Sequence, residues 1–173
     1  SPWHNCSSNQ DMFVTNNDIL RRLRYAFDFN DSKMVAIFGL ADHKVTRAQV
    51  SNWLKNDSDP DYQSCNDATF ALFLNGLINE KRGKKEGAQP APEQSLTNNI
   101  IFRKLKIALD LKDDDILALM DLADLRISKH ELSAFFRKPD HKHYRECKDQ
   151  ILRNFLKGIQ LKLRPGDQSE TFE

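Results

Sequence analysis

The sequence lacks several features that would place a chain of 173 residues in a specialised class. No apolar run is long enough to span a membrane, and the first residues carry neither the basic nor the apolar segment of a secretory signal. Lysine and arginine number 26 and aspartate and glutamate 25, so a net charge of +1 gives no global reason to expect nucleic acid or an anionic membrane as a partner. These absences predict a cytoplasmic protein without a membrane-bound segment.

Cysteine is also scarce, since the chain contains three: Cys6, Cys65 and Cys147. Small secreted domains that rely on disulfides have more cysteines, usually in even numbers. Cys65 and Cys147 are therefore expected to be reduced and buried.

The motifs of common enzyme classes are missing too. The sequence has no glycine-rich phosphate loop, no nucleophile elbow and no HExxH pair. The carboxylate run Asp113–Asp115 lacks the spacing of a calcium loop, and it suits the first turn of a helix, where negative charge is favourable. We expect no catalytic residue, no cofactor and no metal, and hence a protein that is not an enzyme.

The nearest approach to a metal or nucleophilic site is the cluster His141, His143 and Cys147. If the segment is helical, His143 and Cys147 share a face and His141 points away, which leaves at most two local ligands where zinc requires three or four. The equivalent of His143 in the first half of the chain is Asp61, so the cysteine that both halves share is better explained by packing than by catalysis.

The positive feature of the sequence is an internal duplication. Residues 15–78 align without a gap to residues 97–160, at a constant offset of 82, and 20 of the 64 positions are identical. Chance at ordinary composition would give roughly four identities.

Each copy shows four segments with helical periodicity and no convincing strand. Thr46-x-x-Gln49 and Ser128-x-x-Glu131 both fit a capping box at the start of the third helix. Gly76 recurs as Gly158 in the middle of the fourth helix, and since glycine costs about 1 kcal/mol there, a close helix crossing is expected. The basic residues of the first helix in each copy are expected on solvated faces: Arg21, Arg22, Arg24, Arg103, Lys104 and Lys106.

The predicted fold is therefore all-α, a tandem duplication of a four-helix unit with the two repeats packed together. The proposed divisions are a disordered tail or cloning remnant (1–11), repeat one (12–82), a linker (83–96), repeat two (97–163) and a C-terminal tail (164–173).

Several motifs also resemble those of a known family. They are NDILR at 17–21, FLNGLINEKRG at 73–83, NNI at 98–100 and PDHKHYREC at 139–147. Together they resemble the bacterial YehS-like family of unknown function (DUF1456), with a resemblance that extends from Met12 to about Leu163. The resemblance implies a duplicated, all-helical cytoplasmic protein and brings no activity, cofactor or site with it.

We expect a non-catalytic binding or regulatory module for a macromolecular partner, a protein in preference to a nucleic acid. One candidate surface is the groove between the repeats. The other is the polar, histidine-containing segment before the last helix of repeat two. Its residues are Asp140, His141, Lys142, His143 and Arg145.

The alternative is a nucleic-acid-binding protein that uses helices two and three in the manner of a helix-turn-helix. Its candidate residues are Arg47, Gln49, Lys129, His130, Arg137, Lys138 and Lys142. Charge counts weaken this reading, because repeat one has 7 basic against 8 acidic residues and repeat two has 13 against 10. A tandem reader of nucleic acid should be basic in both copies. The oligomeric state and the partner's identity stay open.

Overall fold

The computed structural model describes residues 14–166, so the predictions for residues 1–11 and for most of the C-terminal tail lie outside the described residues. This part of the chain contains eight helices and no strand, which confirms the all-α prediction. The helices are α1 (Asn16–Phe27), α2 (Asp31–Leu40), α3 (Arg47–Leu54), α4 (Asp67–Arg82), α5 (Asn98–Ala108), α6 (Asp113–Leu122), α7 (Lys129–Ala134) and α8 (Asp149–Leu163).

Local sequence signals start the helices. In α3 the Gln49 amide nitrogen donates to Thr46 Oγ1 at 3.1 Å, while the Thr46 amide nitrogen donates to Gln49 Oε1 at 2.8 Å. Ser128 and Glu131 form the same reciprocal pair at α7, at 3.0 and 3.1 Å. Both capping boxes are thus confirmed. The hydrogen bonds from Ser128 lower the pKa of Glu131, because they stabilise its ionised carboxylate.

Three helices end in the same C-terminal capping motif, which sequence analysis did not find. Asp42, Asp110 and Asp124 follow α2, α5 and α6 with left-handed φ angles of 58°, 51° and 61°. In each case the next residue donates its amide hydrogen to a carbonyl five residues earlier, as His43 does to Phe38 at 3.1 Å. This is the Schellman arrangement, in which an aspartate occupies the position that glycine usually takes. Asp42 and Asp124 are equivalent, and so the duplication preserved the helix ends.

The two fourth-helix glycines mark close helix crossings, as predicted. A Cβ atom on Gly76 of α4 would lie 2.0 Å from the carbonyl oxygen of Ile37 in α2. A Cβ atom on Gly158 of α8 would lie 2.1 Å from the carbonyl oxygen of Leu119 in α6. The backbones therefore approach so closely that a side chain cannot be accommodated without a shift.

The helices group into two compact units. The continuous unit comprises residues 28–111, with α2 to α5, and the discontinuous unit comprises residues 14–27 together with 112–166, with α1 and α6 to α8. In the continuous unit α5 packs on α4, and in the discontinuous unit α1 packs on α8. The compact units therefore differ from the sequence repeats. The continuous unit contains α2 to α4 of repeat one and α5 of repeat two. The discontinuous unit contains α6 to α8 of repeat two and α1 of repeat one.

Within each unit the core is aromatic and aliphatic. In the continuous unit the ring centroid of Phe38 lies 5.4 Å from those of both Trp53 and Phe73. Trp53 and its counterpart Phe135 are buried. Cys65 is buried, as expected, and it precedes α4, which starts at Asp67.

Candidate partner-binding loop and basic surface

The segment between α7 and α8 is a loop with a defined hydrogen-bonded backbone. The amide of His141 donates to the Lys138 carbonyl at 2.9 Å, and the amide of Tyr144 donates to the His141 carbonyl at 3.0 Å. The amide of Arg145 donates to the carbonyl of Ala134 at 3.1 Å, which ties the end of the loop back to α7. Two successive turns therefore fix the backbone from residue 138 to residue 145.

The equivalent loop of repeat one has the same backbone. The amide of Asp59 donates to the Asn56 carbonyl at 2.9 Å and that of Tyr62 to the Asp59 carbonyl at 3.0 Å. The amide of Gln63 donates to the Asn52 carbonyl at 3.1 Å. All three bonds match those of the second loop at the offset of 82 residues. The two loops thus display different side chains on one scaffold.

His141 takes over the turn-forming role of an aspartate. In the first loop Asp59 Oδ1 accepts from the amide of Asp61 at 2.8 Å. In the second loop His141 Nδ1 accepts from the amide of His143 at 3.0 Å. The other ring nitrogen of His141, Nε2, lies 3.4 Å from Arg137 Nη1.

The predicted partner surface is exposed to solvent. All five residues proposed for it have exposed side chains: Asp140, His141, Lys142, His143 and Arg145. Lys138, at the beginning of the loop, is exposed as well, whereas Arg137 is partly covered and its Nε atom is buried without a hydrogen-bond partner. The loop is therefore accessible, and its cations are next to a histidine pair whose ring centroids are 5.6 Å apart.

The charges of the two loops are opposite. Residues 137–145 contain four lysines or arginines and one aspartate, a net of +3, whereas residues 55–63 contain one lysine and three aspartates, a net of −2. Since the backbone is shared, this contrast arises from the side chains alone.

The candidate nucleic-acid residues are divided between the units. Arg47 and Gln49 belong to the continuous unit, and the other five belong to the discontinuous unit. The Gln49 side chain is engaged in its capping box, and Lys129 Nζ lies 3.5 Å from Asp114 Oδ1. The connection between α2 and α3 is residues 41–46, longer than the three or four residues of a usual helix-turn-helix.

The thiols do not have the character of nucleophiles. Residues 141–148 are not helical, so the helical alignment of His143 with Cys147 that the spacing suggested is wrong. Burial, followed by the charge of a nearby aspartate, raises the pKa of both Cys65 and Cys147 to about 12. A thiol with such a pKa is almost entirely protonated at neutral pH and is a poor nucleophile or metal ligand. Within residues 14–166, no three His, Cys, Asp or Glu side chains are grouped so as to hold a metal ion.

Sequence analysis missed one polar cluster. Lys104 of α5 was assigned to a solvated face, but its side chain is only 14% exposed. Its Nζ donates to Asn75 Oδ1 of α4 at 2.6 Å and lies 3.1 Å from Glu93 Oε2 in the linker. The sequence signal was weak, because the equivalent positions of Lys104 and Asn75 are Arg22 and Lys157, which cannot form the same bond.

Within the described helices, no segment has both the length and the apolar character needed to cross a membrane.

The fold and the loops define a class: all-helical proteins built by tandem duplication. The chain belongs to the family described as "Protein of unknown function (DUF1456)", which matches twice, at residues 16–83 and 98–165. It is 47% identical over 148 residues to the "Uncharacterized protein YehS" of Escherichia coli (strain K12), covering 84% of this chain and 94% of that protein. No solved structure matches this chain.

Proposed function

We propose that this protein is a non-catalytic binding module for a macromolecular partner. Loop 138–145 binds an acidic surface of that partner, which we take to be a protein. The observation that carries the proposal is the pair of loops with one backbone and opposite charge. A loop that served only to connect two helices would need the scaffold in both copies but not the cations and histidines that occur in one.

The geometry of the loop favours recognition of a folded or extended acidic segment. Its backbone is fixed by its own turns, so little backbone conformational entropy is lost on binding. Lys138, Lys142 and Arg145 supply positive charge at the rim, which increases the rate of encounter with an acidic partner. The raised thiol pKa values and the missing catalytic motifs support a role that does not involve chemistry.

The shared scaffold allows a matched experiment. In one variant the second loop receives the side chains of the first, through Lys138→Asn, His141→Asp, Lys142→Pro, His143→Asp and Arg145→Gln. In the control variant the first loop receives those of the second at the same positions. Both should retain the wild-type circular dichroism and melting temperature.

The binding assay is affinity capture from a cell extract at several salt concentrations, followed by mass spectrometry. We expect the wild type and the control variant to retain the same acidic protein, eluted by salt, and the second-loop variant to lose it. Identical retention by all three chains would refute the role of the loop.

Nucleic acid is the second candidate, favoured by the exposure of Lys129, His130, Lys138 and Lys142 in the discontinuous unit. It predicts that labelled duplex or single-stranded nucleic acid binds with a steep dependence on salt, and that Lys138→Ala and Lys142→Ala each reduce the slope by about one. Absence of binding at low salt would dismiss it. The acidic first loop and the engaged side chain of Gln49 make it the weaker candidate.

A further inference from the structure

We infer that the acidic group recognised by loop 138–145 is a phosphorylated side chain of the partner protein, whose phosphoryl group is held by Arg137 and His141. The inference rests on the proposed function, because it specifies which anion the loop binds. A phosphorylated serine or threonine has a charge of about −1.5 to −2 at neutral pH and three acceptor oxygens. A carboxylate offers a single charge and two oxygens. The loop is therefore expected to prefer a phosphorylated segment to an acidic one.

Arg137 is a partly covered cation that lacks a matching acceptor. Its Nε atom is buried and has no hydrogen-bond partner among residues 14–166. In repeat one the equivalent cation, Lys55, donates from Nζ to Asn52 Oδ1 at 2.7 Å, but Ala134 replaces that asparagine in repeat two. A charged group that is partly removed from water and has no acceptor is unfavourable. An anion bound at the guanidinium would compensate its charge.

His141 places a second nitrogen beside this guanidinium. Arg137 Nη1 and His141 Nε2 lie 3.4 Å apart. Charge-assisted hydrogen bonds are about 2.8 Å long, so one phosphoryl oxygen can accept from both nitrogens at that distance. In the bound form the imidazole carries a proton on Nε2 and donates it to this oxygen. The ring is held in place, because the amide of His143 donates to Nδ1 at 3.0 Å.

Two lysines close to this pair have no acidic partner. Lys138 and Lys142 are exposed, and neither forms an ion pair within the part of the chain that the structure describes. Lys129 of the same unit, in contrast, lies 3.5 Å from Asp114. Lys138 and His141 are the two ends of a turn, closed by a bond of 2.9 Å, so their Cα atoms are within about 7 Å of each other. The two lysines are therefore available to neutralise the remaining phosphoryl charge.

The loop of repeat one shows that the turn itself does not need an imidazole. Asp59 occupies the place of His141, and its Oδ1 accepts from the amide of Asp61 at 2.8 Å. The aspartate forms the same turn with a side chain that repels anions. The histidine of repeat two preserves the turn and adds a second ring nitrogen, which faces Arg137. This addition is what an anion site requires.

The local character of the site favours one phosphoryl group over a nucleic-acid backbone. Its four cationic or imidazole side chains all lie within residues 137–142. Nucleic acid presents single charges spaced along a strand, and a protein that binds it makes several separated phosphate contacts. A phosphorylated side chain concentrates its charge at one point. The partner is therefore a phosphorylated protein segment.

The test is an NMR titration of the full chain at about pH 7.5, where a phosphoserine is mainly a dianion. The probe is the peptide Gly-Gly-phosphoserine-Gly-Gly, and the comparison peptide has two adjacent aspartates in place of the phosphoserine. The side-chain signals of Arg137 and His141 are followed at constant ionic strength. We expect saturable shifts with a Kd of about 1 mM for the phosphoserine peptide. Binding of the aspartate peptide should be weaker by about fivefold or more.

Two variants remove the proposed contacts and preserve the scaffold. His141→Asn retains an oxygen that can accept from the amide of residue 143, but it lacks Nε2. Arg137→Lys introduces the residue of repeat one and removes the guanidinium. Each should weaken binding of the phosphoserine peptide about fivefold, while circular dichroism shows the wild-type fold. The control Arg126→Gln removes an arginine whose side chain is 90% exposed, and it should bind like the wild type.

A preference for the phosphoserine peptide that both variants abolish supports the inference. Equal affinity for the two peptides overturns it and leaves the binding of acidic partners standing. Unchanged affinity in both variants overturns it too, and so does the absence of saturable shifts up to about 10 mM peptide. In that last case the exchange of the two loops still tests the proposed function separately. Tighter binding of a single-stranded oligonucleotide than of the phosphoserine peptide would assign the loop to nucleic acid instead.

Discussion

The glycine at the crossing of α2 and α4 allows a sharp test of the packing. The Cβ of Gly76→Ala would lie 2.0 Å from the Ile37 carbonyl oxygen and 2.8 Å from its carbonyl carbon. Ordinary contacts between carbon and a carbonyl oxygen are about 3.3 to 3.6 Å, so the helices must separate by roughly 1 Å. Because the obstacle is backbone, no change of side-chain rotamer can relieve the contact.

The magnitude follows from two opposing effects. Overpacking of a well-packed core costs up to about 3 kcal/mol, and replacing glycine by alanine within a helix gains about 1 kcal/mol. The expected net loss is therefore about 2 kcal/mol, or a decrease of roughly 4 to 8 °C in melting temperature for a chain of this size. Gly158→Ala should behave alike, since its Cβ would lie 2.1 Å from the Leu119 carbonyl oxygen.

Gly39 provides the control within α2, because a Cβ added there meets no atom within 4 Å. Gly39→Ala should retain the full helix gain and stabilise the protein by up to about 1 kcal/mol. The assay is urea and thermal unfolding of the three variants, monitored by circular dichroism. If Gly76→Ala were as stable as Gly39→Ala, the close crossing and the reasoning built on it would be refuted.

Three further predictions concern local features. Ser128→Ala should destabilise the chain by about 1 kcal/mol in urea unfolding, because α7 loses its capping box, and an unchanged midpoint would contradict this. Asp124→Gly should be more stable than Asp124→Ala by about 1 kcal/mol, since glycine adopts the left-handed φ of 61° freely, and the reverse order in thermal melts would exclude that explanation. The pKa of Cys65 and of Cys147 is about 12 in the folded chain, against about 8.5 in the unfolded chain. The stability that the two protonated thiols confer is therefore complete below about pH 8.5, and it decreases as the pH rises towards 12. In urea unfolding across this pH range, a variant with both cysteines replaced by alanine should lose less stability than the wild type. An equal loss in both proteins would contradict this prediction.

Much of this protein was predictable because its signals are local. The capping boxes at Thr46 and Ser128 and the glycines 76 and 158 act within a few residues or mark one crossing, and a duplicated sequence shows each of them twice. The exposure of the loop before α8 also followed from its polar composition. The left-handed aspartates were missed because aspartate occurs in many other local settings, whereas glycine there would have been recognised.

The sequence by itself determined the duplication, the helical class and the positions of the helices, since hydrophobic period and caps are properties of short segments. The tertiary structure alone decided which helices share a core. The stripe of α1 and that of α5 are alike, so either helix carries the local pattern needed to pack on α4 or on α8. The choice depends on how the connections bring the helices together, and it also decides that Lys104 becomes buried beside Asn75 while Arg22 is placed near Arg153. Such pairings between distant segments have no signature within either segment.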